Sequence, residues 1–184
     1  FSEAGYVIER GRLIHKQTRQ PLSFEILAGS TVQQRLMASF VSDLAKLGIA
    51  ARLRVVDSAQ YQSRLKDYDY DMIQTAWPSS LSPGNEQVFR WDSRTADTPG
   101  SFNFVGVKNP AVDAMIKRLL EAKDDQDFTS AVRALDRVLL SGHYVIPLFH
   151  ASRQWVAHWK QVQGPARFPL WGYSLDTWWI DGAR

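Results

Sequence analysis

The spacing of apolar residues changes period three times over the first sixty positions. Leu22, Phe24 and Ile26 alternate with Ser23 and Glu25, the two-residue repeat of a strand with one buried face. Gly29-Ser30 breaks the run, and Val32, Leu36, Phe40, Leu44 and Leu47 then recur at helical spacing. Ser30 with Gln33 reads as a capping box and Gly48 as the stop. From Ala50 to Val56 the period of two returns, with Ala51, Leu53 and Val55 facing one way and Arg52 and Arg54 the other. Asp57 or Ser58 opens a short helix running to the neighbourhood of Lys66, and Tyr70 to Trp77 reads as a third strand. Strands that alternate with helices are joined by crossovers, so the expected fold class is α/β, a mainly parallel sheet with flanking helices.

On either side of this unit the pattern is less regular. In residues 1–20, Gly11 between Arg10 and Arg12 marks the tip of a small hairpin or loop. Residues 78–104 hold Pro78, Pro83, Gly84, Pro99 and Gly100 among Ser, Asn and aromatic residues with no sustained period, which predicts a long structured loop. Loops of that length are often functional. Asn109 with Pro110 starts a helix carrying Val112, Ile116, Leu119 and Leu120, and a cap near Asp125 starts another through Phe128, Val132, Leu135 and Leu139 to Gly142. Val145 to Trp159 is strand-like but broken by Pro147, and the tail from Gly164 is rich in Pro, Gly and Trp.

Composition narrows the function. At 184 residues the chain is long enough to bury a core. Its 22 basic and 19 acidic residues give +3, scattered without the Lys/Arg stripe that a phosphate backbone demands, so nucleic acid is not an expected partner. The absence of cysteine excludes disulfides, thiol catalysis and Cys-based metal sites. No apolar run reaches the roughly 20 residues of a bilayer span. The opening Phe1 to Tyr6 has neither an initiator Met nor a signal pattern, so the chain is expected to be a piece of something longer.

Enzyme chemistry finds little support. His15, His143, His150 and His158 form no ligand spacing with a carboxylate, so no metal and no cofactor is expected. Asp69 and Asp71 make an Asp-x-Asp pair of the kind that holds a metal and a sugar nucleotide in glycosyltransferases, but the pair sits at a strand entry where Asp commonly ends the preceding turn. There is no nucleophile elbow and no phosphate loop. The binding chemistry lies after Trp77. In an open parallel sheet the ligand crevice lies beyond the carboxyl ends of the strands. Trp77 offers an apolar wall there, and Ser79, Ser80, Ser82, Asn85 and Gln87 can hydrogen-bond an extended main chain. These residues, with Asn103, are the expected ligand-binding set. Trp155, Trp159, Trp171, Trp178 and Trp179 could line a surface or fill a core.

Several strings resemble the dipeptide, oligopeptide and nickel class of extracellular solute-binding proteins, in order along nearly the whole chain. Gln33 to Gly48 with Ile49 resembles the family's helix ending in leucine-glycine-isoleucine. Tyr70-Asp71-Met72 with Trp77 resembles its strand carrying an aspartate before a cleft tryptophan. Asn109-Pro110-Ala111-Val112-Asp113 is similar to its asparagine-proline-x-x-aspartate helix start, and Val145-Ile146-Pro147-Leu148-Phe149 to its return strand. Val56 to Tyr61, Ser80 to Gln87 and Asp176-Thr177-Trp178-Trp179 resemble the branch associated with oligopeptide and microcin C type uptake. Where the dipeptide branch has a glycine-aspartate pair after the tryptophan, Pro78-Ser79-Ser80 stands here, so a salt bridge to a ligand's amino terminus is not carried over.

The resemblance implies one lobe of a type II periplasmic-binding-protein-like fold, residues 1–145, and a return segment, residues 146–184, that would pack on a first lobe outside this chain. It also implies a non-enzymatic, periplasmic or surface-anchored protein that captures oligopeptides or peptide-like solutes for ABC transporter permease subunits. The readings left beside it are a metal-dependent glycosyltransferase using Asp69 and Asp71, and a protein-interaction module using the Trp-rich tail.

Overall fold

A computed structural model describes residues 1–77, 82–150, 155–170 and 172–182. The chain divides into two compact units, Phe1–Val145 and Ile146–Arg184.

The first unit opens on a hairpin of β1 (Tyr6–Glu9) and β2 (Arg12–His15). Arg10 and Gly11 form its turn with φ of 48° and 76°, the left-handed pair that matches the twist of a two-residue hairpin. Leu13 on β2 is fully buried, and its N–H donates to the Gly48 carbonyl at 2.8 Å, which ties the hairpin to the end of the first helix.

β3 (Ser23–Ala28) is the centre of a parallel three-stranded sheet, flanked by β4 (Ala50–Val55) and the two-residue β5 (Met72–Ile73). The strand alternates only at its start. Ile26, Leu27 and Ala28 are all buried, the continuous apolar run of a parallel strand covered on both faces. The third strand is thus far shorter than Tyr70–Trp77. Asp71 takes the Glu25 N–H on its Oδ2 at 2.8 Å just before the ladder begins, and residues 74–77 run on without a pairing strand.

Helix α1 (Thr31–Lys46) starts where its sequence predicts. Ser30 Oγ accepts from Gln33 N at 3.2 Å, while Gln33 Oε1 reaches past the cap to Gly29 N at 2.7 Å. Gly48 (φ 80°) closes it: Gly48 N donates to Ala45 O and Ile49 N to Leu44 O, the paired bonds of a Schellman ending. Helix α2 (Ser58–Lys66) is capped by Asp57, whose Oδ1 accepts from Gln60 N at 2.8 Å.

Residues 82–104 are less loop-like than their composition implies. A short helix α3 (Glu86–Trp91) and a 3-10 turn (Ser93–Thr95) lie within them, too brief to show a period. Helices α4 (Pro110–Leu120) and α5 (Asp125–Ser141) pack against each other around Val107, Val112, Ile116, Leu119, Ala131 and Leu135. Both caps are Asx caps: Asn109 accepts from Ala111 N, and Asp124, one residue before the expected position, from Asp127 N.

In the second unit, β6 (Val162–Gln163) pairs antiparallel with β7 (Trp179–Ile180), and Trp178 packs among His158, Phe168 and Tyr173. No strand forms among the described residues of 145–159, contrary to the pattern there. Extended chain becomes a strand only when a neighbour completes its ladder, and Pro147 removes one donor.

Gly48→Ala is expected to lower the unfolding free energy by about 1–3 kcal/mol. The left-handed φ strains any Cβ, and one placed there would lie 2.9 Å from Leu13 N. Urea denaturation of the two proteins measures the difference.

Candidate functional site

The carboxyl ends of the parallel strands are Ala28, Val55 and Ile73. Trp77 lies four residues past the last of them. It is half-buried and forms the centre of an aromatic group: its ring centroid is 5.1 Å from that of Trp91, tilted by 46°, and 6.2 Å from that of Phe104 in a stacked arrangement. Phe102 meets Phe104 edge-on at 5.9 Å. Trp77 is thus both a packed residue and a partly open surface, held in place by α3 and by the loop that follows it.

The expected binding residues separate. Ser82 and Asn85 are exposed; Asn85 sits at the start of α3 without spending its side chain on a cap. Gln87 is half-buried, and its Nε2 donates to Glu86 Oε1 at 3.3 Å. Glu86 Oε1 also accepts from Gly84 N at 3.0 Å, and backbone hydrogen bonds keep its carboxyl below the usual range against the opposing effect of burial. Ser79 and Ser80 lie outside the described residues. Asn103 has no exposed surface: its Nδ2 donates to the carbonyls of Asp92 and Val107, both at 3.2 Å, and its Oδ1 accepts from Val107 N at 2.9 Å. That side chain is committed to folding the loop that carries Phe102 and Phe104.

A polar frame makes this loop rigid. Asp92 is buried and pairs with Arg94 through Nε and Nη2, both at 2.8 Å, and with Arg94 N at 2.9 Å. The Arg94 guanidinium holds the Asp92 carboxyl below its ordinary range despite burial. Tyr68 donates to the Thr98 carbonyl and Tyr70 to the Phe104 carbonyl at 3.0 Å. Burial pushes the Tyr70 phenol up to about 12, so it remains a donor at any physiological pH.

The same geometry accounts for the Asp-x-Asp pair. Asp69 Oδ2 accepts from Arg64 Nε at 2.7 Å, and Arg64 also reaches Glu25 Oε1 at 2.9 Å. Asp71 holds the Glu25 amide. Both carboxylates are occupied in joining α2, β3 and β5, and among the described residues no three His, Asp or Glu side chains gather as metal ligands. No described helix is long and apolar enough to cross a membrane.

Residues not singled out from sequence as part of a site include Trp91 and Phe104, which back Trp77. A polar group of Gln33, Tyr61 and Gln74 lies where the strands end. Tyr61 Oη and Gln33 Nε2 lie 3.4 and 3.5 Å from the Gln74 carbonyl. Gln33 was legible only as a cap.

The family model described as bacterial extracellular solute-binding proteins, family 5 Middle, matches residues 1–99. The chain belongs to this family. It is a family of solute-binding proteins and not of enzymes, which removes the glycosyltransferase reading along with its carboxylates. Among curated relatives, a Brucella suis biovar 1 protein provisionally named a binding protein is 52% identical over 97% of this chain and 29% of its own length. The peptidoglycan-binding protein YepA of Agrobacterium fabrum is 47% identical over the same shares. The chain therefore spans about three tenths of the length of these relatives.

Among solved structures, the oligopeptide-binding protein AppA of Bacillus subtilis, in complex with a nonapeptide, matches 97% of this chain and 36% of its own. Its TM-score is 0.71 at 18% identity. A Thermotoga maritima periplasmic oligopeptide-binding protein with mannohexaose bound matches 79% of this chain and 28% of its own, with TM-score 0.67 at 21% identity. These likenesses establish the fold, that of periplasmic binding proteins of the type II class.

Two measurements test the frame. Asn103→Ala leaves the Val107 N–H buried without a partner and is expected to cost about 2–3 kcal/mol, read as a lower midpoint in urea. The depressed carboxyl of Asp92 contributes stability that is complete above the unfolded carboxylate pKa and is lost as pH falls through its lower folded value. Asp92→Asn should therefore flatten the acid limb of a plot of unfolding temperature against pH; an unchanged limb would show that Asp92 does not contribute.

Proposed function

We propose that the full-length protein is the substrate-binding component of an ABC importer. It captures oligopeptides or peptide-like solutes in the periplasm, free or anchored at the cell surface, and delivers them to permease subunits. Residues 1–145 act as one lobe of the trap. The observation that carries the reading is Trp77, held just past the carboxyl end of β5 by Trp91 and Phe104 beside a polar segment, in a chain that belongs to a solute-binding family.

The parts have separate tasks. Trp77 supplies a flat apolar wall that tolerates different side chains. Ser79, Ser80, Ser82, Asn85 and Gln87 supply donors and acceptors for an extended main chain. Asn103 serves indirectly, by fixing the loop behind the tryptophan. A peptide-bearing ligand is favoured by two similar proteins, one named for peptidoglycan binding and one solved with a nonapeptide. The mannohexaose complex makes sugars the comparison ligand to test.

Residues 146–184 are read as the return segment that packs on the remainder of the full-length protein. Trp155 is 99% exposed, Trp159 79% and Leu170 81%, an amount of apolar surface that asks for cover.

The full-length protein should gain thermal stability with short peptides, by about 2.7 kcal/mol at ligand concentrations one hundred times Kd. Trp77→Ala should weaken binding by about 2 kcal/mol and Asn85→Ala by about 1 kcal/mol, without unfolding the protein. A broad peptide library that produces no shift in melting temperature would rule the reading out.

A further inference from the structure

The connections leaving all three parallel strands converge on Gln74. From α1, the element after β3, comes Gln33, and from α2, the element after β4, comes Tyr61; both point a donor at the Gln74 carbonyl. Gly29 makes room for the ring that carries one of those donors, since a Cβ at that position would lie 2.6 Å from Tyr61 Cγ. The backbone of Gln74 is therefore held from two sides. Its side chain is not: Oε1 is buried and meets no donor. Buried acceptors in native proteins are almost always paired, and a carboxamide that holds no hydrogen bond loses none by turning.

We propose that Gln74 is a specificity-determining residue of the binding cleft, whose carboxamide turns out as ligand enters and pairs with an uncharged amide or hydroxyl group. The inference rests on the solute-binding reading given above. A carboxamide donates and accepts at once, so it matches a peptide unit in either chain direction, or a sugar hydroxyl. The two side chains that meet its carbonyl carry no formal charge. Gln33 is neutral, and burial raises the Tyr61 phenol so that it stays protonated. Asp57, on the same side of the sheet, is occupied in capping α2. Neither of these side chains offers a ligand carboxylate a counter-charge, and burying an unpaired ion costs far more than burying a paired amide. The subsite thus selects for the interior of a chain-like ligand and against its charged terminus.

Isothermal titration of the full-length protein tests this with two probes, N-acetyl-pentaalanine amide and chitotetraose. Wild type is expected to bind at least one, and Gln74→Leu to weaken that probe about fivefold or more, with an unchanged melting temperature. Loss confined to the capped peptide identifies a peptide amide as the partner, and loss confined to chitotetraose a hydroxyl. Gln74→Asn, which keeps the amide but withdraws it by one methylene, should act in the same direction and serves if the leucine variant fails to fold. Should Trp77→Ala weaken binding while both Gln74 variants bind as wild type does, the Gln74 proposal is overturned and the solute-binding reading stands. Should wild type bind neither probe and no library peptide, both fall.

Discussion

The pairing of β3 along both of its edges is the constraint on which the site depends. Ile26 to Ala28 have no exposed surface on either face, and their ladders to β4 and β5 bring three carboxyl ends to one side. Each end then releases a chain segment into the same region. The first leads through Gly29 into α1, the second through Asp57 into α2, and the third through Gln74 to Trp77. Without the central strand, the residues assigned to binding would have no common location.

A second layer of interactions converts location into rigidity. Arg64 links α2 to Glu25 on β3 and to Asp69 ahead of β5, with its side chain only 18% exposed. The largely buried Arg64–Glu25 pair is costly to desolvate, so its value lies in fixing geometry more than in adding stability. Asn103, through neutral hydrogen bonds to buried backbone groups, and Asp92, through charge-assisted ones from Arg94, perform the corresponding task for the loop behind Trp77. Trp77 is therefore set on a frame whose Asn103 and Asp92 side chains are already engaged in hydrogen bonds.

Much of the frame was legible in the sequence because its signals are local. Ser30, Asp57, Asn109 and Gly48 each announce a helix end through one hydrogen bond or one backbone angle, and each functions as written. What remained hidden depends on distant partners. The third strand shortens to two residues because the ladder from β3 reaches no further, and α3 is too short to show a period. Asn103 was expected among the ligand-binding residues; only the fold shows it enclosed by Asp92 and Val107. Trp77 was identified by its place after a strand, whereas its support by Trp91 and Phe104 required the loop to fold back.

The proposed role of the wall beyond the parallel strands is to receive a peptide-bearing solute. Mass spectrometry of small molecules released from the natively purified full-length protein tests it most directly. Peptide-containing species are expected to be enriched with wild type and depleted with Trp77→Ala. Recovery of no such species, or their equal recovery from both proteins, would contradict it.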